Sequence, residues 1–271
     1  MGKLDGKVAF ITGAARGQGR SHAVRLAQEG ADIIAIDICR QIDSVAYPMA
    51  TSADLEQTVS EVESLGRHIV STKADVRDVA ALNAAVTAGA AELGGLDIVV
   101  ANAGILGISS PADRDTAFRD VIDVNLVGAW NTVSVSAPIL IEAGGGGSIV
   151  LISSTQGLTG RGGGGGAMTA YSASKHGVVG LMRSFNHWLA PHGIRVNSVH
   201  PTGVKTPMIM NEQMSALMVD NPAMDEAMSN LMPVSVIESI DVSNAIAWLV
   251  SDEARFVTGV TLPVDAGFTA K

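Results

Sequence analysis

A single cysteine, Cys39, stands in the 271 residues, so no intramolecular disulfide can form and the chain suits a reducing cytoplasm. Basic residues are also in short supply: 18 Lys and Arg against 27 Asp and Glu leave a formal net charge of −9. No basic stripe is left for a nucleic acid backbone or a membrane surface, and a small-molecule partner is expected instead. No apolar run approaches the ~20 residues that span a bilayer, and the amino-terminal "MGKLDGKVAFITGAARG" has no apolar stretch followed by a cleavage site. The histidines, His22, His68, His176, His187, His192 and His200, keep no metal-ligand spacing and no acidic residues cluster with them, so no metal is expected. No linker, composition break or internal repeat divides the chain, which reads as a single domain over residues 1–271.

What is present is a series of short apolar runs with helical stretches between them. The runs are Lys7–Thr12, Asp32–Ile36, His68–Lys73, Asp97–Ala101, Ser148–Ser153, Arg195–His200 and Val260–Val264. They are mostly continuous rather than alternating, as in strands covered on both faces. Helices are expected over Gly17–Glu29, Asp78–Glu92, Arg114–Ala143, Tyr171–Ala190 and Ser239–Ser251. Strand and helix in alternation predict an α/β fold, a doubly wound parallel sheet of seven strands with helices on both faces. The Ala, Gly and Val content implies close helix-to-sheet packing. Cys39–Ala53, Gly144–Gly147 and Gly160–Gly166 read as irregular, the second as a helix stop plus turn.

The first run leads into "TGAARGQG", with Gly13, Gly17 and Gly19 ahead of an amphipathic helix. Glycines there permit a tight turn and a close backbone approach to a pyrophosphate, which the helix N–H groups and dipole favour. A plain turn between strand and helix has the same pattern, but Asp37 ends the second strand 18 residues beyond Gly19. A carboxylate there accepts from both ribose hydroxyls of adenosine and repels a 2′-phosphate, favouring NAD over NADP. Arg16 and Arg40 argue for a phosphate, and the direct clash with Asp37 is weighed above them. Asp75, Val76, Asn102, Ala103 and Gly104 follow the third and fourth runs, where open α/β sheets bind ligands.

Tyr171 and Lys175 are four residues apart, on one helix face. A nearby ammonium favours the phenolate, which makes Tyr171 a candidate general acid/base; a solvent-exposed pair has the same spacing. Ser154, ending the fifth run, is placed to hydrogen-bond the same substrate oxygen.

With "TGAARGQG" (12–19), "DV" (75–76), "ANAG" (101–104), "DVNLVG" (123–128), "ISS" (152–154), "YSASK" (171–175) and "HPTGVKTPM" (200–208) in order, the chain resembles the short-chain dehydrogenase/reductases from Leu4 to Gly267. The resemblance implies an alcohol dehydrogenase or ketone reductase that passes a hydride between nicotinamide and substrate. In it Tyr171 exchanges the hydroxyl proton, Ser154 holds the substrate oxygen, Lys175 lowers the tyrosine's pKa and binds the nicotinamide ribose, and Asn125 supports a water. Gln18 falls within the cofactor loop. Pro201, Val204 and Thr206 match the nicotinamide-binding loop, although Pro201-Thr202-Gly203 replaces the family's commoner Pro-Gly. A homotetramer is implied as well.

The segment after Asp37 and the interval of 17 from Ser154 to Tyr171 resemble the mycofactocin-associated branch, which includes carveol dehydrogenase-like enzymes. That implies a tightly held NAD recycled by mycofactocin. Cys39–Ala53 would then cover the adenosine side of the cleft, the alternative being a surface insertion. Between 208 and 232 lie seven of the eleven methionines, with Met210, Met214 and Met218, and then Met224, Met228 and Met232, at steps of four. Such stripes are commonly helix core; here a segment at about 204–235 is expected to cover a hydrophobic, cyclic or terpenoid secondary alcohol or ketone. Gly160–Gly166 is expected to wall the substrate pocket, with Leu158 and Met168 supplying side chains. Trp130, Trp188 and Trp248 are read as packing anchors, some of them at a subunit interface. Competing readings are an NAD-binding redox sensor or scaffold without catalysis, an NADP-dependent ketone reductase, and a nucleotide-sugar epimerase or dehydratase. The last would need more than the 65 residues that follow Thr206.

Overall fold

The computed structural model describes residues 2–107, 114–161, 166–220 and 226–271. Strands β1 (Val8–Thr12), β2 (Asp32–Asp37), β3 (Ile69–Lys73), β4 (Ile98–Ala101), β5 (Gly147–Ile152), β6 (Ile194–Pro201) and β7 (Thr261–Val264) form one sheet in the order β3-β2-β1-β4-β5-β6-β7. Every pairing is parallel. Helices α1 (Gly17–Gln28), α2 (Ser52–Ser64), α3 (Val79–Leu93), α4 (Arg114–Ile122), α5 (Gly128–Ala143), α6 (Gly166–Leu189), α7 (Glu212–Asp220) and α8 (Ser239–Val250) complete the described chain. The seven expected strands are all present, with ends moved by a residue or so.

The continuous apolar runs at the middle of the sheet feed two cores. In β1, Val8 and Phe10 point to the core shared with Leu82 and Val86 of α3, Val133 and Leu140 of α5 and Val178 and Met182 of α6. Ala9 and Ile11 point to the opposite core, with Ala23 and Leu26 of α1, Leu55 and Val62 of α2 and Val242 and Ile246 of α8. A strand with water on neither face needs apolar residues at every position, which is why alternation is missing from the sequence. Small residues bring helices close to the sheet: a Cβ added at Gly89 of α3 would lie 2.7 Å from Ile34 of β2.

Strand order reverses between β1 and β4, so a crevice opens at the carboxyl ends of those strands. The expected helix over Arg114–Ala143 is divided by a π-helical turn at Asp123–Val127. By length and composition that run is apolar enough to cross a membrane, yet 61% of its most apolar window is buried in the molecule. Its hydropathy is that of a core helix. Gly144, left-handed at φ 67°, ends α5 as the glycine run implied. Trp130, Trp188 and Trp248 are 48, 47 and 39% exposed, so they are not core anchors. Their rings lie across the outer surfaces of α5, α6 and α8, because the Ala- and Val-rich strands already fill the inner faces.

Phe10 is fully buried at the centre of the sheet. Phe10→Ala is expected to lower the free energy of unfolding by about 3–5 kcal/mol, read by urea denaturation.

Candidate active site

The crevice is lined by the glycine loop, the ends of β2, β3 and β4, one face of α6 and the chain after β6. Gly13 and Gly17 have φ of 68° and 55°, a region where side chains are strained. A Cβ at Gly19 would lie 1.9 Å from the Gly13 carbonyl oxygen, and one at Gly13 would lie 2.9 Å from Cα of Ala103. The loop can therefore approach a ligand as bare backbone ahead of α1, whose free N–H groups favour anions. Two further contacts hold it: the Arg20 guanidinium donates to the carbonyls of Ala15 at 2.6 Å and Asp54 at 2.7 Å. Asn102 ties β4 to β1, its Nδ2 donating to the Thr12 carbonyl at 2.9 Å and its N–H to the Thr12 hydroxyl at 3.1 Å.

Asp37 is buried at the end of β2 and accepts from the N–H groups of Ala15 and Cys39, each at 3.1 Å. Burial pushes its carboxyl above the ordinary range, against the pull of those N–H groups and of Arg16. Neither nearby arginine is free: Arg16 donates to the Pro48 carbonyl, and Arg40 reaches Asp75 at 3.4 Å. Asp75 itself is held by Arg77, Nε at 3.0 Å and Nη2 at 2.7 Å, which outweighs burial and keeps its carboxyl below the usual value. Thus Arg77, absent from the sequence reading, neutralises Asp75.

Cys39–Ala53 is not a loose insertion. Ile42, Val45, Tyr47 and Ala50 are buried, and Ile42, Tyr47, Met49 and Ala50 line the crevice. Gln41 folds the segment on itself, donating to the Val45 carbonyl at 2.7 Å and accepting from the Met49 N–H at 3.0 Å. Ser44 donates to Asp120 at 2.6 Å, and the Tyr47 hydroxyl accepts from the Leu106 N–H at 3.2 Å. The strap thus runs from Asp37 across to the glycine loop and the end of β4. Tyr47 is one of two tyrosines in the chain, the only signal of its place that the sequence carries.

The other tyrosine lies at the far end of the same crevice. Tyr171 and Lys175 share one face of α6, the ammonium 5.5 Å from the ring centre. Lys175 Nζ donates to the Ile152 carbonyl at 2.9 Å, and burial lowers its pKa from 10.5 to about 8. Burial raises the Tyr171 hydroxyl above its ordinary value, and the Ser154 side chain beside it opposes that. Desolvation, rather than the lysine, thus sets the direction of the tyrosine's shift. Asn125 lies in the π turn, fully committed: Oδ1 accepts from the Ile105 N–H at 2.8 Å and Nδ2 donates to the Ile105 carbonyl at 2.9 Å. A Cβ at Gly104 would lie 3.4 Å from Asn125 Oδ1 and 3.6 Å from Lys175 Nζ, so these three converge.

Gly13, Arg16, Gly17, Gln18, Gly19, Asp37, Asp75, Val76, Asn102, Ala103, Gly104, Tyr171, Lys175 and Thr206 all line the crevice. Pro201 and Val204 lie behind it: Pro201 ends β6 beside Val264, and Val204 is buried and bridges to Ile237. The extra Thr202, whose hydroxyl donates to Asn230 at 2.7 Å, turns that loop toward the later chain. The methionine stripes form no uniform face: Met214 is buried, Met210 and Met232 are over half exposed, and Met208 lines the crevice. The side chains of Met218 and Met224 lie outside the described residues, as do 162–165 of the glycine run. Among the described residues no group of His, Cys, Asp or Glu could hold a metal.

The short chain dehydrogenase family profile matches residues 7–216. The chain is 58% identical to an uncharacterized oxidoreductase of Mycobacterium tuberculosis, covering 99% of this chain and 98% of that protein. It is 48% identical to the (-)-trans-carveol dehydrogenase of Rhodococcus erythropolis, all of both chains being covered. The crystal structure of carveol dehydrogenase from Mycobacterium avium in complex with NAD superposes with a TM-score of 0.93 at 50% identity, again over all of both chains.

Two outcomes follow from this geometry. Gly19→Ala forces a Cβ against the Gly13 carbonyl and is expected to weaken nucleotide binding at least about tenfold, read by calorimetry. For Lys175, a folded-state value of about 8 below the ordinary 10.5 means that the charged lysine costs stability at neutral pH. That cost fades as pH rises from about 8 toward 10.5. The stability of Lys175→Met relative to the parent should therefore decline over that window in urea unfolding; a constant difference contradicts it.

Proposed function

The chain belongs to the short-chain dehydrogenase family, and from that premise we propose that it is an NAD-dependent oxidoreductase interconverting a hydrophobic secondary alcohol and its ketone. The observation that carries the reading is the convergence of a nucleotide cradle with Tyr171 and Lys175 on one crevice, Ser154 standing beside Tyr171. The cradle fits the dinucleotide: bare backbone at Gly13 and Gly19 faces the place for a pyrophosphate, and Asp37 supplies a buried carboxylate for ribose hydroxyls. With Arg16 and Arg40 engaged elsewhere, NAD is favoured over NADP. When bound, the nicotinamide supplies the hydride acceptor or donor.

The chain's own residues do the rest. Ser154 holds the substrate oxygen, and Tyr171 beside it takes the hydroxyl proton in oxidation and returns it in reduction. Lys175, fixed on the Ile152 carbonyl, holds the nicotinamide ribose and moves the proton onward. Asn125, its side chain spent on Ile105, supports the outgoing water through its main chain. Because burial holds Tyr171 neutral, oxidation should rise with pH on the alkaline side while reduction falls.

Met208 and Met228 give the 204–235 segment an apolar lining to lay over the substrate, and the curated carveol dehydrogenase directs the choice toward cyclic terpenoid alcohols. The strap over the crevice favours a retained NAD, recycled by mycofactocin. The exposed Phe118, Val127 and Trp130, on α4, the π turn and α5, fit the contact faces of a homotetramer.

Purified protein, denatured and assayed by chromatography, is expected to release NAD, and to oxidise carveol with an artificial electron-accepting dye faster than with added NAD. Tyr171→Phe should lower that turnover by about 10²–10⁴-fold with the NAD content unchanged. An empty protein with rapid turnover of free NAD contradicts retention, and equal turnover by the variant contradicts the acid/base role.

A further inference from the structure

Ser154 stands just past the end of β5. The β5–β6 ladder is complete to Ile152, which faces Val199, and ends with the Ser153 N–H donating to the Val199 carbonyl at 2.9 Å. Ser154 then leaves the sheet in extended backbone, capping a short 3₁₀ turn over Thr155–Gly157. Its carbonyl accepts from the Gly157 N–H at 2.9 Å, a bond local to the turn. The neighbouring strand supplies one more: His200 Nδ1 lies 2.9 Å from the same carbonyl.

His200 is fully buried, and its second nitrogen, Nε2, lies 2.8 Å from the hydroxyl of Ser198, also fully buried two residues earlier on the same face of β6. A carbonyl can only accept, so Nδ1 carries the proton and Nε2 accepts from Ser198. Burial brings the imidazole pKa down to about 4, which keeps this neutral, single-tautomer form through the working range. Ring, serine and carbonyl thus form a saturated buried chain in which every polar atom has its partner, and such chains are rigid.

We propose that His200 is a positioning residue that carries the sheet's constraint one residue beyond its ladder, fixing the Ser154 main chain so that its hydroxyl meets that of Tyr171. It rests on the reading of Ser154 and Tyr171 given above. Sheet hydrogen bonds alone would leave Ser154 tethered by its own turn. With His200 the serine is referred to β6, the strand that also leads to Thr206 in the crevice. A displacement of about 1 Å at such a group is enough to cost up to 10²-fold in rate.

Two substitutions separate the two ends of the imidazole. The Asn amide nitrogen coincides with Nδ1, so His200→Asn keeps the bond to the Ser154 carbonyl and drops Ser198. The Gln amide coincides with Nε2, so His200→Gln keeps Ser198 and drops the carbonyl. Both are polar and suited to the same site.

The readout is the titration of Tyr171 by NMR on protein carrying ¹³C at the tyrosine Cζ, where only Tyr47 and Tyr171 give signals; Tyr47→Phe assigns them. Tyr47 and Lys175 are the titratable groups beside Tyr171, and both are left in place in the measurement itself. Moving the Ser154 side chain away from Tyr171 shifts the Tyr171 midpoint upward, whereas loosened packing that admits water shifts it downward.

His200→Gln is expected to raise the midpoint and to lower kcat for carveol about 10-fold or more, with NAD affinity within about twofold. His200→Asn is expected to leave both near the parent values. Equal effects of the two variants, an unchanged midpoint in His200→Gln, or a lowered one would overturn the assignment. Ser154→Ala calibrates the experiment: if it leaves the Tyr171 midpoint unmoved, the Ser154–Tyr171 reading fails, whereas a raised midpoint there with none in His200→Gln sinks only the role of His200.

Discussion

Thr12 and Asn102 join the two halves of the sheet at the point where strand order reverses. The Asn102 side chain and main chain both bond to Thr12, and the adjacent Ala103 comes so near Gly13 that any Cβ there would touch it. That closure gives the glycine loop its place in the crevice. It sets how far the glycine loop stands from β4, where α1 presents its free N–H groups, and how deep a planar ligand can lie between Asp37 and Asn125. Glycine at 13 and 19 is the sequence's answer to backbone meeting backbone.

Desolvation governs the other end. The same burial draws Lys175 down to about 8, holds the Tyr171 hydroxyl above its ordinary value and keeps His200 neutral. Groups so buried exchange protons with one another more readily than with bulk water, as the proposed tyrosine acid/base would need at neutral pH. The structure spends stability to keep a lysine there, as functional sites commonly do. Ser154 and Tyr171 come from β5 and α6, separated by a glycine-bearing excursion, so their meeting depends on how firmly each element is held at its end.

Much of this was legible in the sequence for a simple reason. Strands buried on both faces must be continuously apolar, and the glycine, acidic and Tyr-x-x-x-Lys positions carry out steric or chemical tasks that few residues allow. The sequence was silent where a long-range contact decided the outcome. Arg77 reaching Asp75, Tyr47 reaching Leu106 and His200 reaching Ser154 have no local signature. The π turn at Asp123–Val127 is invisible to a helical period, because one extra residue per turn leaves the apolar spacing intact on either side. The methionine stripes form no single face, since a spacing of four holds only within a helix, and Met210 and Met232 lie outside any described helix. The sequence named the three tryptophans as packing anchors, some at a subunit interface, and gave no sign of which; all three lie on the outer surfaces of their helices.

Central to the account is the transfer of hydride from a substrate carbon under the control of Tyr171. The most direct measurement is a single turnover with carveol deuterated at the carbinol carbon, following where the label goes. Deuterium is expected in the reduced nicotinamide, with a primary isotope effect on its appearance and loss of that transfer in Tyr171→Phe. Label lost to water, or transfer at the parent rate in the variant, would contradict it.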